Sequence, residues 1–120
     1  MIGVIFEVWP KAEFKDKYLE LAAELKSTLE AIDGFVSVER FQSIYDENKL
    51  LSLSFFESRE ALDEWRNVAE HRVAQRVGRS RYFADYRLRV VDVIRDYGMQ
   101  EREQVPQDSL AALAKKSKPG

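Results

Sequence analysis

Segments in which apolar residues recur every second position alternate along the chain with segments in which they recur every third or fourth position. In the first segment, Ile2, Val4, Phe6 and Val8 are two positions apart, which is the period of a β-strand. The next segment has helical spacing and predicts a helix over about residues 12–32, with a stripe made of Phe14, Tyr18, Leu21, Ala22, Leu25, Leu29 and Ile32. Gly34 is expected to end this helix, because glycine tolerates the left-handed backbone common at helix C-termini.

The following segments predict a hairpin and a second helix. The runs FVSVERFQSIY (35–45) and KLLSLSFF (49–56) are rich in β-forming residues and are separated by a short polar turn, so we expect them to pair antiparallel. Ser58 is suited to cap the N-terminus of the helix that follows. Asn67 and Glu70 form a second capping signature, which leaves open a break and restart of this helix near residue 67.

The last periodic segment, from residue 82 to about residue 95, predicts a fourth strand. Its apolar positions run from Tyr86 to Val90 in steps of two and then continue at Val91 and Val93. A shift of one residue in the alternation is what a β-bulge produces, so a bulge is expected at this point.

The order strand, helix, strand, strand, helix, strand is that of a ferredoxin-like α+β fold, a four-stranded antiparallel sheet with both helices on one face. The second face of such a sheet receives no helix, yet Ile5, Trp9 and either Val91 or Val93 supply it with apolar side chains. An apolar face of this size needs cover. We therefore expect a homodimer in which a second copy of the chain packs against it, sheet to sheet, with Trp9 in the interface.

The charge balance and the absence of cysteine exclude several classes of function. The 19 Lys and Arg residues nearly balance the 21 Asp and Glu residues, so neither nucleic acid nor a membrane is expected as a partner. Zero cysteines exclude disulfides and thiolate metal sites and favour a cytoplasmic protein. A single histidine excludes a histidine-rich site in one chain, so no metal is expected. The N-terminal stretch lacks the basic region of a signal peptide, and its apolar run ends by Pro10.

Four blocks of the sequence carry a resemblance to a known family: IDGFVSVERF (32–41), LLSLSFFESREALDEW (50–65), EHRVAQRVGR (70–79) and FADYRLRVVDVIRDY (83–97). On these blocks, residues 1–97 resemble the antibiotic biosynthesis monooxygenase superfamily of dimeric α/β barrels. The resemblance implies one ferredoxin-like domain per subunit, pairing of two subunits through their sheets, and a separate pocket between sheet and helices in each. Residues 98–120 form a C-terminal tail outside the resemblance, expected to be mobile or docked on the partner subunit.

Members of this superfamily differ in activity, and three functions stay open. The resemblance implies first a cofactor-independent monooxygenase that acts on a small aromatic or quinol-type substrate. The alternatives are a non-catalytic module of the same fold that binds a small molecule or a partner, and a protein that binds or degrades haem. The haem-degrading branch has an asparagine on the first strand, where this chain offers Glu7, and a histidine ten residues after the helix tryptophan, where this chain has Gln75.

Oxygenation without a cofactor needs a base that deprotonates the substrate, so the single histidine is the candidate catalytic residue. His71 has an unperturbed pKa of about 6.5, which suits a base near neutral pH. On a continuous helix it lies about 160° from the apolar stripe, which is instead the arrangement of a partly exposed structural histidine. Trp65, Tyr82 and Tyr86 are the candidate pocket-lining residues, although packing alone also accounts for aromatic residues at these positions.

Overall fold

The structure is a computed structural model that describes residues 1–76 and 79–109, without the side chains of residues 70–76, 79 and 80. The elements in chain order are β1 (Ile2–Pro10), a 3-10 helix (Ala12–Phe14), α1 (Lys15–Glu30), β2 (Phe35–Gln42), β3 (Leu50–Phe56), α2 (Arg59–Arg76), the short α3 (Arg79–Tyr82) and β4 (Phe83–Asp92). Within these residues, none of the helices is long and apolar enough to cross a membrane.

The four strands form one antiparallel sheet in the order β2, β3, β1, β4. β1 lies between β3 and β4 and pairs with β3 from Ile2 opposite Phe56 to Val8 opposite Leu50. β2 and β3 pair antiparallel, as the sequence predicts. The order of elements and the topology are ferredoxin-like, so the predicted α+β fold with a four-stranded antiparallel sheet is confirmed.

The side chains that alternate toward the helices form the core. Phe56 and Val8 are fully buried. Val4 and Phe56 of the sheet pack with Leu29 of α1 and Ala61 of α2 in one cluster. Burial of apolar surface is the main favourable contribution to folding, and here it holds both helices over the same face of the sheet.

The turn between α1 and β2 requires a glycine. Gly34 has a φ of 90°, a conformation that other residues rarely adopt. A Cβ at this position would lie 3.0 Å from the Cβ of Ala61. The carbonyl of Gly34 accepts a hydrogen bond from the N–H of Glu57 at 2.7 Å, which ties the turn to the end of β3.

We predict that Gly34→Ala lowers the free energy of unfolding by about 1–2 kcal/mol, because the added Cβ is strained by the backbone conformation and by Ala61. Urea unfolding followed by circular dichroism measures the change. Gly98→Ala is the control, since a Cβ at residue 98 meets no atom within 4 Å, and it should change the free energy by less than about 0.5 kcal/mol. Equal changes in the two variants would contradict the prediction.

The predicted bulge in β4 is wrong. The pairing of β1 with β4 keeps its register from Ile2 to Trp9 and shifts only between Trp9 and Pro10. Pro10 has no N–H to donate to the ladder, which accounts for an irregularity at this end. Val90 and Val91 therefore point to opposite faces of a regular strand. The change in the sequence pattern reflects apolar residues on both faces of β4.

The bounds of the helical elements also differ in part from the prediction. α2 is continuous, so the restart near residue 67 does not occur. The first turn of the predicted long helix is a separate 3-10 helix, Ala12–Phe14. Tyr82 ends α3 and does not belong to β4. Ser58 caps α2 as predicted: its Oγ accepts a hydrogen bond from the N–H of Ala61 at 3.2 Å.

The face of the sheet opposite the helices carries an apolar patch, called here the open sheet face. Its apolar members alternate with the core residues along their strands and are Ile5, Phe41, Leu51, Leu53, Phe55 and Val91. Phe41 is 41% exposed and Val91 is 37% exposed. The apolar second face that the sequence predicts is therefore present in the single chain, and Trp9 lies on this face as well.

The C-terminal tail is described only as far as residue 109. In this part, the guanidinium of Arg102 lies 5.8 Å from the ring centroid of Tyr97, and Val105 is buried. Residues 110–120 lie outside the described part of the chain. Docking of the tail on a partner subunit stays a prediction.

Candidate functional site

A cavity of about 180 Å³ lies between the helices and the helix-facing side of the sheet. Its apolar and aromatic lining residues are Val4, Phe6, Tyr18, Leu21, Ala22, Leu25, Trp65, Ala69, Tyr82, Phe83, Tyr86 and Leu88. Its remaining lining residues are Arg40, Ser52 and Ser54. Small-molecule sites usually have this form, a concave apolar space with a few placed polar groups. The cavity is therefore the candidate functional site.

The cavity is open along β4. Tyr86 is 44% exposed and Leu88 is 52% exposed, although both line the cavity. Tyr82, which lines it from α3, is only 7% exposed. Tyr86 and Leu88 therefore form the exposed edge of the described cavity.

Aromatic rings form the wall of the cavity near β4. The ring centroid of Phe83 lies 5.4 Å from that of Tyr18 and 5.9 Å from those of Phe6 and Tyr86. All three pairs meet edge to face, which is a favoured arrangement of aromatic rings. These contacts connect α1, β1 and β4, so the wall is built from three elements that fix one another.

The polar part of the lining comes from β2 and β3. Arg40 is opposite Ser52 in the pairing of these strands, and the buried Ser54 follows two positions later. The Nε of Arg40 is buried and has no hydrogen-bond partner. Among the described residues, no carboxylate forms an ion pair with Arg40. The cavity therefore contains a positive charge without a counterion from the described part of the chain.

The hydroxyl of Tyr18 is the second strong donor in the cavity. Burial raises the pKa of Tyr18 above its usual value, while the positive charge of Arg40 and a hydrogen bond from its guanidinium act in the opposite direction. The net effect is a raised pKa, so Tyr18 is neutral near pH 7 and its O–H can donate to a ligand. Arg40 and Tyr18 thus present N–H and O–H donors side by side.

The structure brings three of the four predicted site residues to the cavity. Trp65, Tyr82 and Tyr86 line it. Trp65 also packs against two core clusters, so it serves as a wall and as part of the core. Contact of these side chains with a substrate stays a prediction. His71, the candidate base, lies in α2, and its side chain is outside the described part of the structure.

Sequence reasoning missed Arg40 and Tyr18. Arg40 has the same parity as Val38 in β2, and Val38 packs against the core. A charged residue at a strand position that faces the helices is unusual, so this signal was present in the sequence. Tyr18 lies in the apolar stripe of α1, and its spacing alone gives no indication that its hydroxyl meets Arg40.

A second polar cluster lies on the open sheet face. Glu7 of β1 forms ion pairs with Lys49, at 2.7 Å, and with Arg89, at 2.6 Å. The hydrogen bond from Lys49 is the largest cause of a lowered pKa of Glu7; the charges of both partners and the hydrogen bond from Arg89 add to it, and desolvation opposes it. Glu7 is therefore an ionised structural group, and it lies on the wrong face of the sheet to act as a base in the cavity.

Trp9 is held by contacts within its own chain. Its Nε1 donates a hydrogen bond to Oδ2 of Asp46 at 3.0 Å, and the ammonium of Lys49 lies 5.1 Å from its ring centroid. The pKa of Asp46 is lowered by a hydrogen bond from the backbone N–H of Asn48 and then by that from Trp9, against some desolvation. These contacts tie the turn between β2 and β3 to β1. A place for Trp9 in a dimer interface stays a prediction.

The described side chains include no candidate metal centre. No three His, Asp or Glu side chains of the described part are grouped so that they could hold a metal.

The sequence matches one known family over most of its length. The profile of the family "Antibiotic biosynthesis monooxygenase" matches residues 1–77. A protein of Pyricularia oryzae named jasmonate monooxygenase ABM is 41% identical over 93 residues, which are 78% of this chain and 43% of that protein. The chain therefore spans less than half the length of this relative.

Solved structures share the fold. The structure of Rv0793 from Mycobacterium tuberculosis has a TM-score of 0.70 at 21% identity and covers 81% of this chain and 98% of that one. A variant of MhuD with two manganese protoporphyrin IX molecules bound per active site has a TM-score of 0.63 at 19% identity and covers 82% of this chain and 99% of that one. At these identities the likeness shows the fold alone. With the profile match over more than half of the sequence, the chain belongs to the antibiotic biosynthesis monooxygenase family.

Proposed function

We propose that this protein is a monooxygenase that oxidises a small aromatic or quinol-type molecule in the cavity between helices and sheet, with no metal or organic cofactor. The observation that carries the proposal is the cavity itself, because its aromatic and aliphatic lining suits a substrate of low polarity. The family to which the chain belongs supports the reaction class.

Oxidation without a cofactor draws its electrons from the substrate. A base removes a proton from an activated CH₂ or phenol group, and the resulting anion passes electrons to O₂. Conversion of a CH₂ to a carbonyl balances with one O₂: one oxygen atom enters the product, and the other leaves as water with the two hydrogens. The tasks of the protein are to remove the proton, to stabilise the anion and to exclude water.

The proposed roles follow from the sequence predictions and from the lining of the cavity. His71 is proposed as the base because it is the single histidine of the sequence, although its position on the continuous α2 lies about 160° around the helix from Ala69, which lines the cavity. Trp65 is the proposed wall against which a substrate ring packs. Tyr82 and Tyr86 are proposed to line the substrate site and to offer hydroxyl groups to it.

Oxygen consumption tests the proposal. Purified protein is followed in an oxygen electrode with a panel of anthrones and hydroquinones, and with jasmonate, which the name of the Pyricularia oryzae relative gives as its substrate. We expect the wild type to exceed background autoxidation with at least one substrate and His71→Ala to lower kcat by at least about 100-fold. Arg66→Ala is the control on the same helix, since Arg66 is exposed and pairs with Asp63, and it should keep the wild-type rate.

The outcomes separate the residue from the reaction. Equal rates of the wild type and His71→Ala would remove the role of His71 and leave the reaction class in place. Wild-type rates at background level for every substrate of the panel would count against the monooxygenase proposal.

A non-catalytic small-molecule-binding module is the second candidate function. The observation that favours it is the composition of the lining, because the lining residues described by the structure include no aspartate, glutamate or lysine that could act as a base. Ligand binding measured by calorimetry, without oxygen uptake for any bound molecule, would identify this function. Haem binding is tested separately by titration with haemin, for which we expect no shifted Soret band.

We also propose that the protein forms a homodimer through the open sheet face. The support is the apolar patch on that face, because its six apolar side chains lie on neighbouring strands and form one continuous patch. A symmetric dimer would cover both patches in one interface and leave the two cavities, which lie on the helix-facing sides, separate from each other.

A further inference from the structure

We infer that Arg40 binds the carboxylate of a small acid whose remaining skeleton is apolar and fills the cavity. The inference rests on the proposed function, since it names the class of molecule that the same cavity takes. It adds that the ligand carries a negative charge, whereas the apolar lining alone would favour a neutral ligand.

The position of Arg40 is fixed by the sheet. β2 places it opposite Ser52, whose own neighbour on the other side is Phe6 of β1. The side chain therefore lies on the helix-facing side of the sheet, where it lines the cavity. The pairing therefore fixes the backbone of Arg40 and directs its side chain to the face of the sheet that lines the cavity.

The hydrogen-bonding state of Arg40 indicates a missing acceptor. Its Nε is buried and has no partner, although a buried N–H is normally satisfied. No carboxylate of the described residues forms an ion pair with it. Arginine has five N–H donors in a planar fork, and a carboxylate with its two oxygens is the acceptor that matches this fork.

Neighbouring groups favour an anion at the same place. The neutral hydroxyl of Tyr18 lies beside the guanidinium and can donate to a carboxylate oxygen. Ser52, opposite Arg40, adds a hydroxyl to the lining. The described lining residues include no aspartate or glutamate that would repel an anion. A buried N–H without an acceptor is unfavourable, and a ligand carboxylate would provide the acceptor that the Nε of Arg40 lacks.

The size and lining of the rest of the cavity define the skeleton. Leu21, Leu25 and Trp65 form apolar walls, and a volume of about 180 Å³ is suited to one ring with a short chain. A ring-bearing acid with a short linker meets both conditions: the carboxylate binds Arg40, and the ring packs between α1 and α2. The chemistry then takes place on the skeleton, at a distance from the anchoring carboxylate.

A matched pair of probes tests the inference by isothermal calorimetry without any turnover. The probes are 3-phenylpropionate and 3-phenylpropionamide, which have nearly the same shape and differ in charge. We expect the wild type to bind the acid at least about tenfold more tightly than the amide, as charged hydrogen bonds are stronger than neutral ones.

Variants of Arg40 assign the preference to this residue. Arg40→Met removes the charge and keeps the length of the side chain, and it should reduce the affinity for the acid at least about tenfold while changing that for the amide less than about twofold. Arg40→Lys keeps the charge and loses the fork, so its affinity for the acid should fall between those of Arg40→Met and the wild type. Arg66→Met, at an exposed arginine, should bind both probes as the wild type does.

The results of this experiment are independent of the oxygen measurements. Equal wild-type affinities for acid and amide, no measurable binding of the acid, or wild-type affinity of Arg40→Met for the acid would overturn the inference. If Arg40→Met does not fold, the acid-to-amide ratio of the wild type and the affinity of Arg40→Lys decide the question. Charge-dependent binding without oxygen uptake would support the anion site and oppose the monooxygenase function. Oxygen uptake with no dependence on Arg40 would support the monooxygenase function and oppose the anion site.

Discussion

The Leu53→Lys protein is expected to be a monomer under conditions in which the wild type is a dimer of about 28 kDa, twice the 14.0 kDa of one chain. Leu53 lies on the open sheet face between Ile5 of β1 and Glu39 of β2. In a single sheet in water, a lysine next to Glu39 is tolerated as an opposite-charge cross-strand pair. In a dimer, two copies of this pair would have to lose water at an apolar contact, so we expect the dissociation constant to rise at least about 100-fold. Sedimentation velocity over a range of concentrations measures it.

A second leucine separates the effect of the site from the effect of the charge. Leu19 of α1 is 37% exposed, and Leu19→Lys places the same charge on the helical side of the molecule, so it should remain a dimer. Circular dichroism should give wild-type helix and strand content for both variants. A wild type that sediments at 14.0 kDa at every concentration, or a Leu53→Lys protein with the wild-type dissociation constant, would contradict the dimer proposal.

Much of the fold was predictable because each element has one clear period. The apolar alternation of β1 and the helical stripe of α1 each arise from contact with the single core on one side of the sheet. β4 was less predictable, since Val90 faces the helices and Val91 faces the open side, and a run of two apolar residues does not reveal which side each belongs to. The irregularity came instead at Pro10, where the missing N–H interrupts the ladder.

The candidate site was predictable only in part, because its chemistry depends on contacts between distant elements. Trp65 and Tyr86 are aromatic and lie within the sequence blocks that resemble the family, so their placement near a pocket could be predicted. Arg40 is one of many charged residues in the sequence, and nothing sets it apart there. Its contact with Tyr18 of α1, which is far from it in sequence, forms only in the folded chain. Parity in a strand could have identified Arg40 as facing the helices; its missing partner is visible only in the folded chain.

The proposed ligand site and the proposed dimer interface lie on opposite faces of the sheet. The helix-facing side holds the cavity with Arg40, and the open side holds the apolar patch and the ion pairs of Glu7. Changes on one face should leave the other intact, so the dimer and the ligand site can be tested independently.

We expect Ala22→Phe to abolish ligand binding without removing any group that takes part in chemistry. Ala22 of α1 is 5% exposed and lines the cavity, so a phenyl ring at this position occupies the space that the ligand needs. The affinity for 3-phenylpropionate and the rate of oxygen uptake should both fall at least about 100-fold. Overpacking of a filled core costs about 1–3 kcal/mol, but here the ring enters an existing cavity, so the loss of stability should lie at or below the lower end of this range.

The adjacent alanine provides the control for this substitution. Ala23 is exposed on α1, and Ala23→Phe adds the same ring on the outside of the helix, so affinity and oxygen uptake should match the wild type. Ala22→Phe should weaken the acid and the amide equally, because it removes the space for the skeleton, whereas Arg40→Met should weaken only the acid. Wild-type binding by a folded Ala22→Phe protein would show that the ligand site lies elsewhere, and it would remove the cavity from both the proposed reaction and the proposed carboxylate anchor.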